Sequence, residues 1–337
     1  MTDPVRRAKV LVTGGAGYIG SHAVLALRDA GRLVVVIDDL STGFRWSVPP
    51  DVPFALGDIA DEALVRRLIA EHRVGAIMHF AGSIVVPESI ENPLKYYLNN
   101  TAKSRALIAA AVAGGVRHFV FSSTAATYGA PDATPIAEDA PTRPINPYGQ
   151  SKLMTETMLK DVAAAQDFNY CALRYFNVAG ADPAGRSGQS TARATHLIKV
   201  AVEAACGRRD GVDVFGGDYP TLDGTCVRDY IHVSDLAVAH LGALDALIAA
   251  PSGSLILNCG YGRGFSVLEV LDAVDRVAGV RLRRSMAPPR PGDPAALVAD
   301  NRRILARLAW RPAWDDLDTI VRHALEWERR DLLGHAS

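Results

Sequence analysis

Lys9-Val10-Leu11-Val12-Thr13-Gly14-Gly15-Ala16-Gly17-Tyr18-Ile19-Gly20 is the stretch on which the fold turns. Five residues rich in Val and Leu run into a glycine cluster, and a helix-forming run opens at Tyr18. The cluster reads as GxGxxG through Gly15, Gly17 and Gly20, and as GxxGxxG through Gly14, Gly17 and Gly20. Glycine is needed where backbone must approach a pyrophosphate with no Cβ between them. The helix that follows offers free N–H groups and a partial positive end. A lone GxGxxG is a weak signal, but this one follows a strand and opens a helix. The next strand-like segment, Leu33–Asp38, ends in an acid 18 residues after Gly20, placed to accept hydrogen bonds from a ribose 2′-OH. Asp39 comes next, and two carboxylates there repel a 2′-phosphate, which favours NAD over NADP; alone, Asp39 reads equally well as a solvated loop acid. Gly57-Asp58-Ile59 follows a strand-like segment too, where an Asp can accept from an adenine amino group or cap a helix.

Outward from this stretch, strand-like and helix-like segments alternate. Lys9–Thr13, Leu33–Asp38, Gly75–Phe80, Arg117–Ser123 and Tyr170–Tyr175 are short continuous apolar runs, suited to parallel strands covered on both faces. Tyr18–Ala30, Asp61–His72, Pro93–Ala113 and Tyr148–Ala165 are predicted helices between them. The alternation predicts an α/β fold built on a doubly wound parallel sheet of Rossmann type. Past Phe176 the pattern loosens into loops, with helical patterns at Ala192–Ala205, Ser234–Ala250, Val267–Ala278, Asn301–Leu308 and Asp316–Arg329. We expect residues 1–176 to bind the dinucleotide, receiving parts of 231–260. Residues 177–337 are expected mainly to form a smaller C-terminal α/β substrate domain.

Composition narrows the function. Lys and Arg number 36 against 37 Asp and Glu, so the basic excess of a nucleic-acid binder is absent. No apolar run reaches the roughly 20 residues of a membrane span. Met1–Arg7 lacks the apolar core of a secretory signal. Cys171, Cys206, Cys226 and Cys259 lie far apart with no CxxC spacing, which suits reduced thiols in a cytoplasmic enzyme and gives no metal framework.

Asn146-Pro147-Tyr148-Gly149-Gln150-Ser151-Lys152 opens a predicted helix, and Tyr148 and Lys152, four apart, share one helical face. An ammonium beside a phenol favours the phenolate, lowering its pKa by about 1–3 units and making a poised general base. A bare YxxxK is common by chance. Its company matters: Phe119-Val120-Phe121 ends in Ser122-Ser123-Thr124, where the Thr124 hydroxyl can bond a reacting oxygen or, more plainly, cap a turn.

Gly14–Gly20, Ser122–Gly129 and the Tyr148/Lys152 motif resemble the extended short-chain dehydrogenase/reductases. Farther on, Phe215-Gly216-Gly217-Asp218-Tyr219-Pro220-Thr221 leads to Asp223-Gly224-Thr225-Cys226-Val227-Arg228-Asp229-Tyr230-Ile231-His232-Val233. That string is similar to the UDP-glucose 4-epimerase (galactose epimerase) family, and the resemblance covers nearly the whole chain. It implies bound NAD, UDP-glucose and UDP-galactose as substrates, and a redox-neutral inversion of C4 through a 4-keto sugar. Tyr148 is then the base, Thr124 the partner hydroxyl and Lys152 the electrostatic support. The resemblance places Tyr18, Ile19, Phe80, Ala81, Asn99, Ser122, Tyr175 and Phe176 on the cofactor side. Asn177, His196, Leu197, Val214, Phe215, Arg228, Tyr230, Arg290, Asp293 and Leu297 fall on the UDP-sugar side. Arginines suit pyrophosphate because the guanidinium can donate twice in one plane. A homodimer is implied as well, through the Pro93–Ala113 and Tyr148–Ala165 helices.

Three departures stand out. Many relatives carry Ala-Gly-Leu-Lys where this chain has Ala81-Gly82-Ser83-Ile84, His196 replaces an Asn, and Val178 replaces a Pro. Leu297 takes a position where a bulky Tyr goes with plain hexoses and a small residue with N-acetyl sugars. Leucine there predicts the glucose/galactose pair with weaker turnover of UDP-N-acetylglucosamine; the alternative is that it packs under its loop. Sugar dehydratases and decarboxylases of the same fold need an acid or base after Thr124, and Ala125-Ala126 supplies neither.

Overall fold

Seven parallel strands form the centre of the computed structural model, which describes residues 9–192, 194–250, 253–290 and 292–334. They are β1 (Lys9–Thr13), β2 (Val34–Asp38), β3 (Phe54–Leu56), β4 (Val74–His79), β5 (His118–Thr124), β6 (Asn169–Tyr175) and β10 (Leu255–Cys259). Their spatial order is β10-β6-β5-β4-β1-β2-β3. The pleat explains why these strands are apolar throughout. Val10, Val12, Val34, Val36, Met78, Val120 and Leu173 face one core, against α1 (Tyr18–Asp29) and α8 (Val233–Ala249). Leu11, Val35, Ile37, Ile77, Phe119, Phe121 and Ala172 face the other, against α2 (Glu62–His72), α5 (Lys103–Ala113) and α6 (Pro147–Ala165). Successive side chains point to opposite faces, so a strand covered twice needs an apolar residue at every position. The strand order reverses between β1 and β4, the switch point where open α/β sheets hold ligands.

Phe176 alone separates β6 from β7 (Asn177–Ala179), which leaves the large sheet and pairs with β9 (Val227–His232). β11 (Gly264–Ser266) and β13 (Ala296–Leu297) flank β9, and β8 (Val212–Phe215) pairs with β12 (Arg284–Ala287). A third core joins α7 (Leu197–Ala205), α9 (Val267–Ala278) and α11 (Leu317–Gly334) to Val212, Val214 and Tyr230. Short helices α3 (Val86–Glu91), α4 (Pro93–Tyr96) and α10 (Arg302–Arg307) complete the elements.

The expected helix Pro93–Ala113 is interrupted. Tyr97–Ala102 is a π-helical stretch between α4 and α5. There the Asn100 carbonyl accepts the Ser104 hydroxyl at 2.7 Å and the Thr155 hydroxyl of α6 at 2.8 Å. Side chains inserted into the helix ladder widen it. The expected helix Ala192–Ala205 starts only at Leu197, because His196 is extended at φ -70° and ψ 130°. β3 and β10 lie outside the five strand segments read from the sequence. The readings of residues 1–7, Arg193 and Pro291 fall outside the described residues.

Candidate active site

Gly14 stands at φ +68°, and a Cβ there would sit 2.6 Å from the Ala81 nitrogen. A Cβ on Gly20 would lie 2.1 Å from the Gly14 carbonyl oxygen. The loop therefore closes on itself and on the end of β4 at a distance only glycine permits. Helix α1 opens at Tyr18 with Gly17 as its N-cap and no side chain capping it, so its first N–H groups remain available to an anion. Asp38, 7% exposed, accepts the Ala16 N–H at 2.9 Å and the Leu40 N–H at 2.8 Å. Burial raises its pKa, and those two N–H groups oppose the rise. Asp39 is exposed and caps the Ser41 N–H at 2.9 Å. Asp58 caps Ala60 and pairs with Lys103 at 2.6 Å; partial burial raises its pKa, but the Lys103 ammonium and the Ala60 N–H together bring it below the ordinary value. Ile59 is buried in the core, so only its backbone can meet a ligand. The Phe80 ring lies 4.7 Å from that of His240, and the Tyr18 hydroxyl donates to the Gly180 carbonyl at 2.7 Å. A glycine cradle that any Cβ would fill, an uncapped helix start and a buried acid at the end of β2 fit NAD.

At the end of β5 the structure brings Tyr148, Lys152 and Thr124 together. Asn146 accepts the Gly149 N–H at 2.9 Å and Pro147 takes the first helical position, which starts α6 so that Tyr148 is its second residue. Lys152 donates to the Ser122 carbonyl at 3.0 Å and lies 5.0 Å from the centre of the Phe121 ring. The Thr124 hydroxyl hydrogen-bonds the Tyr148 phenol, and its oxygen accepts the Ala126 N–H at 3.1 Å. The expectation that Lys152 depresses the phenol needs correction. Burial raises the Tyr148 pKa and the Thr124 hydrogen bond opposes it, while Lys152 turns its ammonium to the Ser122 carbonyl. Burial also lowers Lys152 to about 8. Tyr175 shares a hydrogen bond with the Ser122 hydroxyl, and Phe176 packs with Ala125, Tyr128 and Ile136. Asn99 donates to the Ser83 hydroxyl at 3.0 Å, and Asn100 accepts the Ser83 N–H at 2.7 Å. Ser83 thus ties the loop after β4 to the π-helical stretch, while Ile84 is 47% exposed.

Across the cleft lies the second group of residues. Asn177, His196, Leu197 and Tyr230 line a cleft together with Gln189 and Trp327. His196 bonds Gln189 at 2.9 Å, and burial lowers its pKa. Arg228 reaches toward Asp293 at 3.6 Å, and the Arg290 guanidinium stacks 3.7 Å over the centre of the Phe215 ring. Leu297 pairs with Arg228 across β13 and β9 and packs half-buried against the cluster of Ala125 and Phe176. Val214 is fully buried in the third core, so its side chain cannot reach a ligand. Sequence reasoning missed Gln189 and Tyr219. Burial and the Cys226 thiol push the Tyr219 phenol up to about 12, beside Asp293 and Arg228. It also missed Glu156, although that residue continues the four-residue spacing of Tyr148 and Lys152.

Comparison with known proteins identifies the family. A UDP-glucose 4-epimerase from Azospirillum brasilense is 59% identical over 98% of this chain and 94% of its own length. The structure of a UDP-glucose-4-epimerase from Stenotrophomonas maltophila, with bound NAD and formylated UDP-arabinopyranose, is 40% identical and superposes with a TM-score of 0.92, covering 96% of this chain and 98% of that one. That of the UDP-Glc/GlcNAc 4-epimerase from Campylobacter jejuni is 46% identical with a TM-score of 0.84, over 96% of this chain and 99% of that one. Residues 10–260, which carry the glycine cradle and the Tyr148–Lys152–Thr124 group, match the shared pattern of one family, and the chain belongs to it: the NAD dependent epimerase/dehydratase family.

Proposed function

We propose that this protein is an NAD-dependent isomerase that interconverts UDP-glucose and UDP-galactose by inverting C4 through a 4-keto intermediate. The observation that carries the reading is the convergence of buried Tyr148 and Lys152 of α6 on the end of β5 that carries Thr124, with Lys152 donating to the Ser122 carbonyl at 3.0 Å. NAD, when bound, would supply the acceptor and donor for the C4 hydride. Gly14, Gly17, Gly20, Asp38, Phe80, Ala81, Asn99, Ser122 and Tyr175 would hold it. Tyr148 removes the proton from the C4 hydroxyl and later returns it to the same oxygen, while the stereochemistry is set by the face of C4 that receives the hydride. Thr124, whose oxygen accepts the Ala126 N–H, has its own proton free to donate toward that hydroxyl or the phenol. Lys152 supplies positive charge under the pair. Asn177, His196, Leu197, Phe215, Arg228, Tyr230, Arg290 and Asp293 would grip the nucleotide diphosphate, while the ketone turns over between removal of the hydride and its return. Ala125 and Ala126 offer no proton for eliminating water, which argues against a dehydratase. Incubation of the purified protein with UDP-galactose should yield UDP-glucose. Tyr148→Phe should lower kcat by roughly 10²–10⁴-fold. Near-normal turnover by a folded Phe variant would remove Tyr148 from the mechanism.

We read the substrate range from Leu297, and its packing beside Ala125 and Phe176, next to Thr124, supports that reading. We expect weak turnover of UDP-N-acetylglucosamine. Leu297→Ser should raise it and Leu297→Tyr suppress it, read as the ratio of kcat/KM for the two sugar classes; an unchanged ratio in both dismisses the residue as a gate. Cofactor binding is assigned to residues 1–176 with α8 and β10, and UDP-sugar binding mainly to the rest. A homodimer is the assembly we infer, from Ile90, Leu94, Leu98 and Met154, which expose apolar side chains on α3, α4, the π-helical stretch and α6. Four unpaired cysteines suit a cytoplasmic setting.

A further inference from the structure

Helix α6 carries a third buried residue in line with its two catalytic ones. Tyr148, Lys152 and Glu156 follow at four-residue spacing, and Glu156 is 3% exposed. One turn separates each from the next, so all three face the sheet. Their partners are three consecutive residues at the end of β5: Thr124 meets Tyr148, the Ser122 carbonyl meets Lys152, and the Ser123 hydroxyl donates to Glu156. From β6, Arg174 grips the same carboxylate with two bonds, Nε to Oε1 at 3.0 Å and Nη2 to Oε2 at 2.5 Å. Arg174 pairs with Ser123 in the sheet register and directly precedes Tyr175, which bonds Ser122. Its guanidinium also lies 4.9 Å from the centre of the Tyr128 ring. One ion pair therefore joins α6, β5 and β6 directly beneath the reacting layer.

Stability alone does not account for such a pair. Replacing a buried ion pair with apolar residues of similar volume is often neutral or stabilising, because both charges lose their water. What apolar contacts lack is direction: a helix resting on methyl and methylene groups can turn or slide by fractions of an ångström at little cost. Three bonds to one carboxylate, from two strands, fix the rotation of α6 about its axis. We propose that Glu156 and Arg174 are positioning residues for the epimerisation. They hold α6 at the rotation that brings the Tyr148 phenol onto Thr124 while Lys152 stays on the Ser122 carbonyl. This rests on the assignment of Tyr148 as the base.

The groups that face Tyr148 are Thr124 on β5, Tyr175 on β6 and Tyr96 on α4, while Lys152 on its own helix points to the Ser122 carbonyl. Those that face Glu156 are Arg174, Ser123, Tyr128 and Tyr170. The test compares NAD-loaded wild type with Glu156→Met/Arg174→Met, which removes both charges together, and with Ser123→Ala, which removes one bond and no charge. In the double variant we expect unchanged or higher thermal stability and retained NAD. The KM for UDP-galactose should stay within about twofold while kcat falls at least tenfold, with a smaller loss in Ser123→Ala. The Tyr148 titration, followed by NMR on ring-labelled tyrosine with Tyr148→Phe as the assignment control, should move to higher pH. Wild-type kcat and an unmoved titration in the folded double variant overturn the proposal. So does a parallel loss of NAD, KM and kcat, the mark of a merely structural role. If the wild type fails to convert UDP-galactose, the functional assignment fails on its own, and the Tyr148 titration still decides the positioning role.

Discussion

Lys152 is an ammonium with 3% of its surface exposed, held by one carbonyl and one aromatic face. Burial takes its pKa from 10.5 to about 8, so the folded chain holds that proton less tightly than the unfolded one. The fold therefore carries a penalty that is complete below about pH 8, shrinks as pH climbs from there, and is gone above 10.5. The shift corresponds to at most roughly 3–4 kcal/mol, since each unit is worth about 1.4. Lys152→Met should abolish turnover yet melt several degrees higher than wild type at pH 7, with the gap closing by pH 10.5. A variant that melts lower at pH 7 would mean that the carbonyl and ring contacts outweigh desolvation. The identity of this residue was legible from four-residue spacing. Its electrostatic state was not, because that depends on Phe121 and Ser122, which reach it from another element. The same holds for Glu156, whose spacing was visible but whose meaning needed Arg174 and Ser123 at its side.

Among the elements, the glycine loop was the most legible. Its constraint is local: Gly14 and Gly20 press against each other's backbone, and the sequence that opens α1 contains everything needed to see it. Gly20→Ala drives a Cβ to 2.1 Å from the Gly14 carbonyl, which must then withdraw from the phosphate site. We expect at least a tenfold loss of NAD affinity by calorimetry on cofactor-stripped protein, with a lower melting temperature. Unchanged affinity would show that the loop relaxes freely. The stretch 93–113 was illegible for the opposite reason. Its residues form helices well, and the interruption comes from Thr155, a hydroxyl on α6 about 50 residues away in sequence. The small strands β11 and β13 were likewise set by pairing with β9, distant in the chain.

For the whole molecule, five of the seven central strands and both helix layers could be read, since burial on two faces leaves a continuous apolar signature. β3 is only three residues long, and β10 joins the sheet through pairing with β6, which no local pattern announces. That pairing has a measurable effect. α8 and β10 cover Leu173, Cys171 and the α1 face, so a fragment ending at residue 176 would leave that core open. Expressed alone, residues 1–176 should show no cooperative thermal transition and should bind a hydrophobic dye; a sharp transition with NAD binding would show that the first six strands suffice. The two sheets are joined where β6 passes into β7 across Phe176, and the chain then returns to the first sheet through α8.

That return journey also governs the order of events on the ribosome. The cofactor sheet cannot close its last edge until Cys259 has been translated, roughly 80 residues after Tyr175. At synthesis rates of about 5–20 residues per second, β6 waits some 4–16 s with one edge unpaired. During that interval the nascent chain offers an open strand to any neighbouring polypeptide, and a chaperone that shields it is needed most while the smaller lobe is still being made.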